Sequence, residues 1–474
     1  MKQNDAHVRL EKRKISRMAR PFTWVLVTAF VGAAAFMATT GRDLLLLATN
    51  SVSGSLCAAA FVSHVDPARV FKEEQLPNMR SLGWAMRSHL DAERREVSSD
   101  LLGAFASRAV YREGLGCVLV HGDGSVPDAG GIKPETNVAA AAEPALVTTA
   151  NPALARALAL AFSEPDAKAR RLTKAVVVLH DGKLIAERYA EGYGPQTPIW
   201  GHSLSKSITS AWIGTLVRQG KLRVDQIAPI AAWRAQDDAR HNITIDQLLR
   251  MDSGLPFDET NGPLNHMSRM FFLSNDMADY AATVPLTQPP GSAWAYSNLG
   301  YVLLSRIAMH ASGANDAATA EGQLREQLFA PLGMHHTVME TDLAGTPVGS
   351  SHVYASARDF ARFGQLYLDD GVVNGQRVLP EGWVAYSHSQ TLKTGYGAGF
   401  WTNLVNEGSV PVWDAQWGMP QLPRDMFYAR GAMGQYIVIV PSERLVVVRL
   451  GITVDGSTGI GDVVAQVIAA IHHA

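Results

Sequence analysis

Charged residues are scarce in this chain of 474 residues, and charge of one sign does not dominate. Asp, Glu, Lys and Arg make up 18% of the sequence, apolar residues make up 47%, and the formal net charge is −2. Because no basic patch with interleaved aromatic residues occurs, we expect no nucleic-acid partner. The apolar content is that of a globular protein and excludes a disordered chain. The length suits a large enzyme core with an additional segment.

Two common catalytic signatures are also missing. No His-Glu-x-x-His motif occurs, and the adjacent His335 and His336 lack the spacing of metal ligands. A Gly-x-Ser-x-Gly motif of the α/β-hydrolase type would need a glycine where Ser205 stands. These absences argue against a zinc-dependent hydrolase and an α/β-hydrolase.

Cysteine is nearly absent, since Cys57 and Cys117 are the only two in the chain. Both lie in small or apolar surroundings, with no His or basic residue close in sequence, so neither has the environment of a catalytic thiol. Two cysteines in an exported chain can form one disulfide. We expect a Cys57–Cys117 bond, and the alternative is a pair of buried free thiols.

The N-terminus carries the one concentration of charge. Residues 1–20 contain seven Lys or Arg against two acids, and residues 21–41 form an uncharged run of 21 residues. A helix of that length spans a bilayer, and the basic flank keeps the N-terminus in the cytoplasm. We expect a basic cytoplasmic tail over 1–20 and a single-pass signal anchor over 21–41 in the inner membrane, with the rest of the chain in the periplasm. A cleaved signal peptide, which would leave a periplasmic protein, is the alternative.

The remainder of the chain divides at a stretch rich in Gly, Pro and Ala that precedes residue 151. Residues 42–150 are expected to form an accessory segment and linker, and residues 151–474 the main domain. In that domain, strand patterns at both ends enclose a mostly helical middle, and a closing helix follows. The pattern predicts an α/β (α+β) fold in which an antiparallel sheet is flanked by helices and contains an inserted, mostly helical subdomain.

Ser203 and Lys206 form the only Ser-x-x-Lys in the chain, ahead of an apolar helical run. The two side chains share one helix face, and a serine at a helix start lies beside free N–H groups that favour an oxyanion. Burial would lower the pKa of Lys206 and let it take the serine proton. An ordinary serine-capped helix is the alternative. His202 is expected to be a packing residue and not the base.

A second motif lies in AWAYSNLGYVLLSRI, where Tyr296 and Asn298 form the only Tyr-x-Asn. A phenol held near an ammonium group can ionise below its normal pKa, which would let Tyr296 act as a general base. Asn298 can offer a donor and an acceptor to a substrate amide. The alternative is a turn residue followed by a packed aromatic.

Together these motifs resemble those of the serine β-lactamase-like, penicillin-recognising hydrolases. The resemblance is greatest to the class C branch, which also holds DD-peptidases, esterases and 6-aminohexanoate-dimer hydrolases. LLRMDSGLPFDE (248–259) and YASARDFARFGQLYLDDGVVNGQRVLPEGWV (354–384) resemble further family segments in the same order, so that the likeness covers roughly 150–474. It implies a β-lactamase/DD-peptidase-like fold.

By the same resemblance, Ser203 is the acylated nucleophile, Lys206 and Tyr296 are the proton-transfer pair, and Asn298 is a substrate contact. After the Ser-x-x-Lys and Tyr-x-Asn motifs, the family usually has a third motif, Lys-Thr-Gly or His-x-Gly, just before its last two strands. We call this motif the third box. The literal Lys393-Thr394-Gly395 lies too early, and the equivalent place holds Ala429-Arg430-Gly431.

The changed third box affects the expected substrate. The N–H of Ala432 is expected to be the second oxyanion donor, opposite that of Ser203, and Arg430 is a candidate partner for a substrate carboxylate. Because the usual Lys or His is missing, an ester or amide fits better than a penicillin. We expect an exported serine hydrolase acting on a small-molecule ester or amide. Hydrolysis through an acyl-enzyme on Ser203 needs neither a metal nor an organic cofactor, and we expect none. The alternatives are a β-lactamase or DD-carboxypeptidase, and a non-hydrolysing peptidoglycan-binding sensor; the oligomeric state stays open.

Overall fold

The computed structural model describes residues 40–79, 81–122, 124, 126, 145–166, 170–259, 262–404, 418–453 and 457–473. The expected cytoplasmic tail and nearly all of the expected signal anchor lie outside the described residues, as does most of the Gly- and Pro-rich linker.

The N-terminal part of the described chain, residues 42–120, is a helix packed on a four-stranded sheet, and we call it the accessory unit. The strands pair antiparallel in the order β1-β2-β3-β4, and alternate residues of β2 are buried because they face helix α1. Its elements are α1 (Arg42–Cys57), α2 (Pro67–Val70), β1 (Met86–Asp91), β2 (Glu96–Leu101), β3 (Ala104–Arg112) and β4 (Gly116–Val120).

Helix α1 continues as a π-helical turn to Val62. The segment Arg42–Val62 is long and apolar enough to cross a membrane, but 61% of its most apolar stretch of 18 residues is buried inside the protein. A disulfide joins Cys57 at the end of α1 to Cys117 on β4. This helix therefore serves as the core helix of the accessory unit.

The second part, residues 145–473, is called the main unit. Its elements are α3 (Pro152–Ala161), β5 (Thr173–His180), β6 (Lys183–Tyr189), β7 (Ile199–Trp200), α4 (Leu204–Arg218), α5 (Ile245–Arg250), α6 (His266–Leu273), α7 (Met277–Thr283), α8 (Asn298–Ser312), α9 (Ala317–Leu324), β8 (Thr337–Met339), β9 (Val353–Ala355), α10 (Ala357–Leu368), β10 (Val372–Val373), β11 (Gln376–Arg377), α11 (Trp383–His388), β12 (Trp401–Thr402), β13 (Phe427–Gly431), β14 (Gln435–Val440), β15 (Leu445–Gly451) and α12 (Ile460–His472).

Short helical turns complete the description. The π turns are Phe71–Gln75 and Arg325–Phe329, and the 3-10 turns are Leu76–Met79, Gly83–Ala85, Ala231–Trp233, Ala432–Gly434 and Pro441–Glu443.

The main sheet has six antiparallel strands in the order β12-β13-β14-β15-β5-β6. C-terminal strands thus pair directly with N-terminal ones, and the helices between them form the inserted region, as the sequence predicted. Every residue of β14 and β15 is buried, because α10 packs on these strands and α3 and α12 pack together beside β5 and β6. The predicted antiparallel α/β fold is confirmed.

Local sequence signals account for several boundaries. The hairpin of β5 and β6 turns at Asp181 and Gly182, both with positive φ (49° and 73°), which Asp tolerates and Gly adopts freely. The Asn151 side chain accepts the N–H groups of Ala153 and Leu154 and so caps α3. Residues local to the turn and to the cap thus set both boundaries.

The accessory unit is attached to the main unit by specific polar contacts. Lys174 on β5 pairs with Glu73, and the N–H of Cys117 donates to Glu340 Oε1 at 2.7 Å. Arg112 donates to Thr341 Oγ1 at 2.6 Å. The accessory unit thus lies against β5 and the segment that leads from β8 towards β9.

Candidate active site

Ser203 stands at the start of α4, the most deeply buried helix of the main unit. The N–H of Gly201 donates to the carbonyl of Val353 at 2.8 Å, which fixes the chain after β7. His202 then adopts a left-handed conformation (φ 49°), and the chain turns into the helix. Residues 204–216 are all buried. The serine is therefore held on a tight turn by a rigid core helix.

Lys206 lies one helical turn further on, and its ammonium nitrogen is surrounded by neutral oxygens. Nζ donates to Ser203 Oγ at 3.1 Å, to Asn298 Oδ1 at 2.6 Å and to the carbonyl of Ser350 at 2.8 Å. Burial lowers the pKa of Lys206 to about 8, while the nearby Glu259 and Asp258 act in the opposite direction. A fraction of the lysine is therefore neutral near pH 7 and able to accept a proton from Ser203.

An acid pair behind Asn298 positions its amide group. The Nδ2 group donates to Asp258 Oδ1 at 3.1 Å and to Glu259 Oε1 at 2.9 Å. Asp258 Oδ2 also accepts the N–H groups of Asn298 and Leu299 at the start of α8. Burial is the main cause that raises the pKa of Asp258.

The sequence had suggested Asn298 as a substrate contact, and the structure places it differently. The residue is 1% exposed, and both ends of its amide are occupied by Lys206 and the acid pair. We interpret Asn298 as a positioning residue that aims Lys206 at the serine.

Tyr296 lies beside both members of the Ser-x-x-Lys motif. It lines the same pocket as Ser203, whose hydroxyl is near enough to act on its pKa, and Lys206 Nζ is 4.6 Å from the centre of its ring. Burial, and then the charge of Glu259, raise the pKa of Tyr296 well above its usual value. The prediction of a lowered pKa was wrong in direction, because desolvation of the phenolate and the charge of Glu259 outweigh the opposing effects of the Ser203 hydroxyl and Arg430. Tyr296 therefore keeps its proton near neutral pH and is not a standing phenolate base.

The segment Ala429-Arg430-Gly431 lies on β13, at the edge of the pocket. A side chain at Gly431 would put its Cβ 2.3 Å from the carbonyl oxygen of Gly201, so only glycine lets this strand approach the turn before Ser203. Ala432 follows at the pocket wall. The arrangement brings the third box expected from the sequence against the nucleophile.

The literal Lys393-Thr394-Gly395 takes no part in that wall. It forms a turn in which the Gly395 carbonyl accepts the N–H of Thr402 at 2.8 Å. The following strand β12 pairs with β13, with Trp401 opposite Tyr428. Lys393-Thr394-Gly395 therefore precedes the box, as the sequence comparison had indicated.

These elements enclose a cavity of about 430 Å³. Aromatic rings form much of its wall, Glu259 and Arg430 bring opposite charges, and Arg430 Nε donates to the Tyr436 hydroxyl at 3.2 Å. The lining residues are Ser203, Phe257, Glu259, Trp294, Ala295, Tyr296, Trp401, Arg430, Gly431 and Ala432.

Phe257, Asp258, Glu259, Trp294 and Trp401 were not predicted as site residues. Four of them lie in segments that resemble those of the family: the first three end LLRMDSGLPFDE, and Trp294 comes two residues before Tyr296. Trp401 lies six residues after Gly395. Proximity to a motif was thus the available signal, but no local pattern distinguishes these residues from ordinary core and loop positions.

His202 packs instead of acting as a base. Its ring stacks on Trp200 with centroids 3.9 Å apart. Burial, with the charges of His352 and Lys206, lowers its pKa to about 3, so that it is neutral. Across the described ranges, no cluster of three or more His, Cys, Asp or Glu has the geometry to hold a metal ion.

Comparison with known proteins places the chain among enzymes of one fold. It is 27% identical to penicillin-binding protein 4 of Amycolatopsis lactamdurans over 290 residues, which is 52% of this chain and 70% of the relative. It is 26% identical to the 6-aminohexanoate-dimer hydrolase of Paenarthrobacter ureafaciens over 318 residues, 63% of this chain and 78% of the relative.

A solved structure extends the similarity to the backbone. The putative 6-aminohexanoate-dimer hydrolase from Bacillus anthracis superposes with a TM-score of 0.53 at 25% identity, covering 64% of this chain and 80% of that one. Residues 158–458 match the family described as Beta-lactamase. The matched range contains the serine, the lysine, the tyrosine and the third box, and the chain belongs to the Beta-lactamase family of serine hydrolases.

Proposed function

We propose that this protein hydrolyses a small-molecule ester or amide through an acyl-enzyme formed on Ser203. The observation that carries the proposal is the 3.1 Å contact between Lys206 Nζ and Ser203 Oγ at the wall of a cavity of about 430 Å³. A lysine held by neutral acceptors and with a lowered pKa is an activating base for serine.

The first step is attack on the substrate carbonyl. Neutral Lys206 takes the proton of the Ser203 hydroxyl as Oγ bonds to the carbonyl carbon. The carbonyl oxygen becomes an oxyanion, and the N–H groups of Ser203 and Ala432 are the proposed donors to it. The close approach of Gly431 to Gly201 supports this pairing of donors.

The second step releases the alcohol or amine. Tyr296 lies against both Ser203 and Lys206, so its hydroxyl can pass the proton from the lysine to the leaving group and recover one in return. Water then attacks the acyl carbon and gives a proton to Lys206. The bond from that carbon to Ser203 Oγ breaks, Lys206 returns the proton to Oγ, and the acid leaves. Asn298, held by Asp258 and Glu259, keeps the lysine in place in both steps.

The pocket favours an acyl or leaving group with apolar surface. Phe257, Trp294 and Trp401 line it together with Tyr296, and rings of this kind bury apolar groups well. We propose that the enzyme is exported and tethered through residues 21–41, with the pocket on the periplasmic side.

A β-lactamase or DD-carboxypeptidase activity is the second candidate. Arg430 at the pocket wall supports it, because a guanidinium group can hold the carboxylate of a penicillin or of a peptide C-terminus. The family's usual Lys or His is missing from this box, so the ester or amide substrate is the better-supported proposal.

The test is covalent labelling of the full chain in detergent micelles with a fluorophosphonate, followed by intact mass measurement and peptide mapping. We expect one adduct on Ser203, none in Ser203→Ala, and an unchanged adduct in Ser292→Ala, which alters an exposed serine near Tyr296. Folded wild-type protein without an adduct would contradict the proposal. Turnover of p-nitrophenyl esters, acyl p-nitroanilides and nitrocefin then separates esterase, amidase and β-lactamase.

A further inference from the structure

The accessory unit has an exposed apolar surface that its own fold does not explain. Leu76, Trp84 and Leu102 are 37%, 77% and 56% exposed, and we call these three residues the apolar tip. Isolated exposed apolar residues are common, but a tryptophan that leaves three quarters of its surface in water among leucines marks an interaction surface.

The three residues of the apolar tip lie side by side. A Cβ added to Gly83 would be 2.3 Å from a methyl group of Leu76, so Leu76 contacts the residue just before Trp84. The carbonyl of Ala85, just after Trp84, accepts the N–H of Leu102 at 3.1 Å. The three residues of the tip therefore come from adjoining segments, which meet around Gly83 to Ala85 beside the turn between β2 and β3.

The start of helix α1 lies at the same end of the accessory unit. Ser53 and Ser107 hydroxyls are 2.8 Å apart, and the rings of Phe61 and Tyr111 stack at 5.6 Å, so α1 and β3 run in the same direction. From Arg42 to Ser53 the helix rises about 16 Å, and β3 traced back to the turn covers about 16 Å as well. The tip is therefore level with Arg42.

The chain itself indicates what covers this end. Residues 21–41, which immediately precede α1, are uncharged and long enough to cross a bilayer. Leu44 to Leu47, in the first turns of α1, are all only half-buried, so the sheet leaves part of this leucine run uncovered. Any surface level with Arg42 would lie at the membrane interface if residues 21–41 span the bilayer, and this is the depth that tryptophan prefers.

We propose that the apolar tip docks on the lipid bilayer into which residues 21–41 insert, and so fixes the orientation of the whole enzyme on the membrane. Leu76 and Leu102 enter the headgroup boundary, and Trp84 lies at the interface with its ring among the lipids. The anchor and the tip then give two points of attachment at one end of the accessory unit.

The test uses the full chain in vesicles of phosphatidylcholine and phosphatidylglycerol, with and without brominated acyl chains. The native cysteines are bonded to each other, so a single added cysteine, Leu102→Cys, takes an environment-sensitive fluorophore. Gln376→Cys, exposed on β11 of the main unit, is the matched control. We expect brominated lipid to quench the label at 102 by about twofold, and to leave the label at 376 unchanged.

Each other result overturns a defined part of the proposal. If the protein does not co-float with the vesicles in a density gradient, residues 21–41 do not anchor it in the bilayer, and the proposal fails. A chain that floats with an unquenched, water-exposed label at 102, or with equal quenching at 102 and 376, removes the docking surface. A blue-shifted but unquenched label with self-association would mean that a second copy of the chain covers the tip. Reporter-ester turnover by both labelled proteins checks that they are folded.

Discussion

Two lysines of this protein, Lys174 and Lys206, are buried to the same extent, at 1% exposure each. Lys174 on β5 faces a carboxylate, that of Glu73 in the accessory unit, and its Nζ is 5.2 Å from the ring centre of Tyr193. Lys206 on α4 faces only neutral oxygens in its direct hydrogen bonds, and the acid pair stands one residue further away, behind Asn298.

Under the proposed mechanism, this difference in surroundings separates a structural ammonium group from a reactive one. Burial lowers the pKa of both lysines and is the largest cause in each case. The direct hydrogen bond to Glu73 opposes that effect at Lys174, so this lysine connects two units as a charged partner. At Lys206 the counter-charges act from a distance, and the pKa falls to about 8. Because its direct hydrogen-bond partners are neutral, Lys206 can exchange its proton near neutral pH.

The same substitution at each lysine tests the comparison most severely. Lys206→Met should lower kcat/KM for a reporter ester by about 10³- to 10⁴-fold, because the base that activates Ser203 is lost. Lys174→Met should keep activity within about threefold, since Lys174 belongs to the unit interface. Steady-state kinetics on both folded variants measure this. Equal losses in the two would mean that Lys206 acts through packing alone.

Stability should respond in the reverse order. Lys174→Met removes the ammonium partner of Glu73 at the unit interface and leaves Glu73 paired with Arg69 alone. We expect a loss of about 2 kcal/mol in the free energy of unfolding. Lys206→Met removes a charge whose direct partners are neutral, and we expect a smaller change. Urea unfolding followed by circular dichroism compares them. A Lys206→Met protein less stable than Lys174→Met would contradict the assignment of the structural role to Lys174.

The pH dependence of the reaction separates the two lysines further. Lys206 must be neutral to accept the serine proton, and its pKa is lowered to about 8. The value of kcat/KM should therefore rise with pH, by about tenfold per pH unit below pH 8, and level off above it. A profile of kcat/KM from pH 6 to 10 measures this rise, which we call the ascending limb. We expect Lys174→Met to show the same ascending limb. A flat profile between pH 6 and 9 would show that Lys206 is not the titrating base.

Much of the main unit was predictable because its signals are local. Each of three features depends only on residues that are close together in sequence: the turn at Asp181-Gly182, the cap at Asn151 and the spacing of Ser203 and Lys206. The order of the motifs along the chain then indicated the fold. The third box at Arg430 could be located because its position relative to the last two strands is also a sequence property.

What could not be predicted depends on contacts across long stretches of chain. Glu73 meets Lys174 across 101 residues, and Lys206 meets Asn298 across 92. The direction of the pKa shift of Tyr296 depends on burial, which the spacing of Tyr296 and Asn298 does not reveal. Whether a carboxylate contacts a lysine directly or lies behind an amide group also depends on tertiary structure, and on this difference we base the proposal that Lys206 is the reactive lysine.

The finest test removes one acid beside each lysine without changing its shape. Glu259 raises the pKa of Lys206, so Glu259→Gln should move the ascending limb of the pH profile to lower pH, by about half a unit. Glutamine still offers an oxygen to the Asn298 amide, so the position of Lys206 is preserved. The matched variant Glu73→Gln should leave the midpoint of the limb in place and lower stability instead, because its oxygen contacts Lys174 directly. A shift to higher pH in Glu259→Gln, or the same shift in both variants, would show that the distant acid does not set the pKa of the reactive lysine.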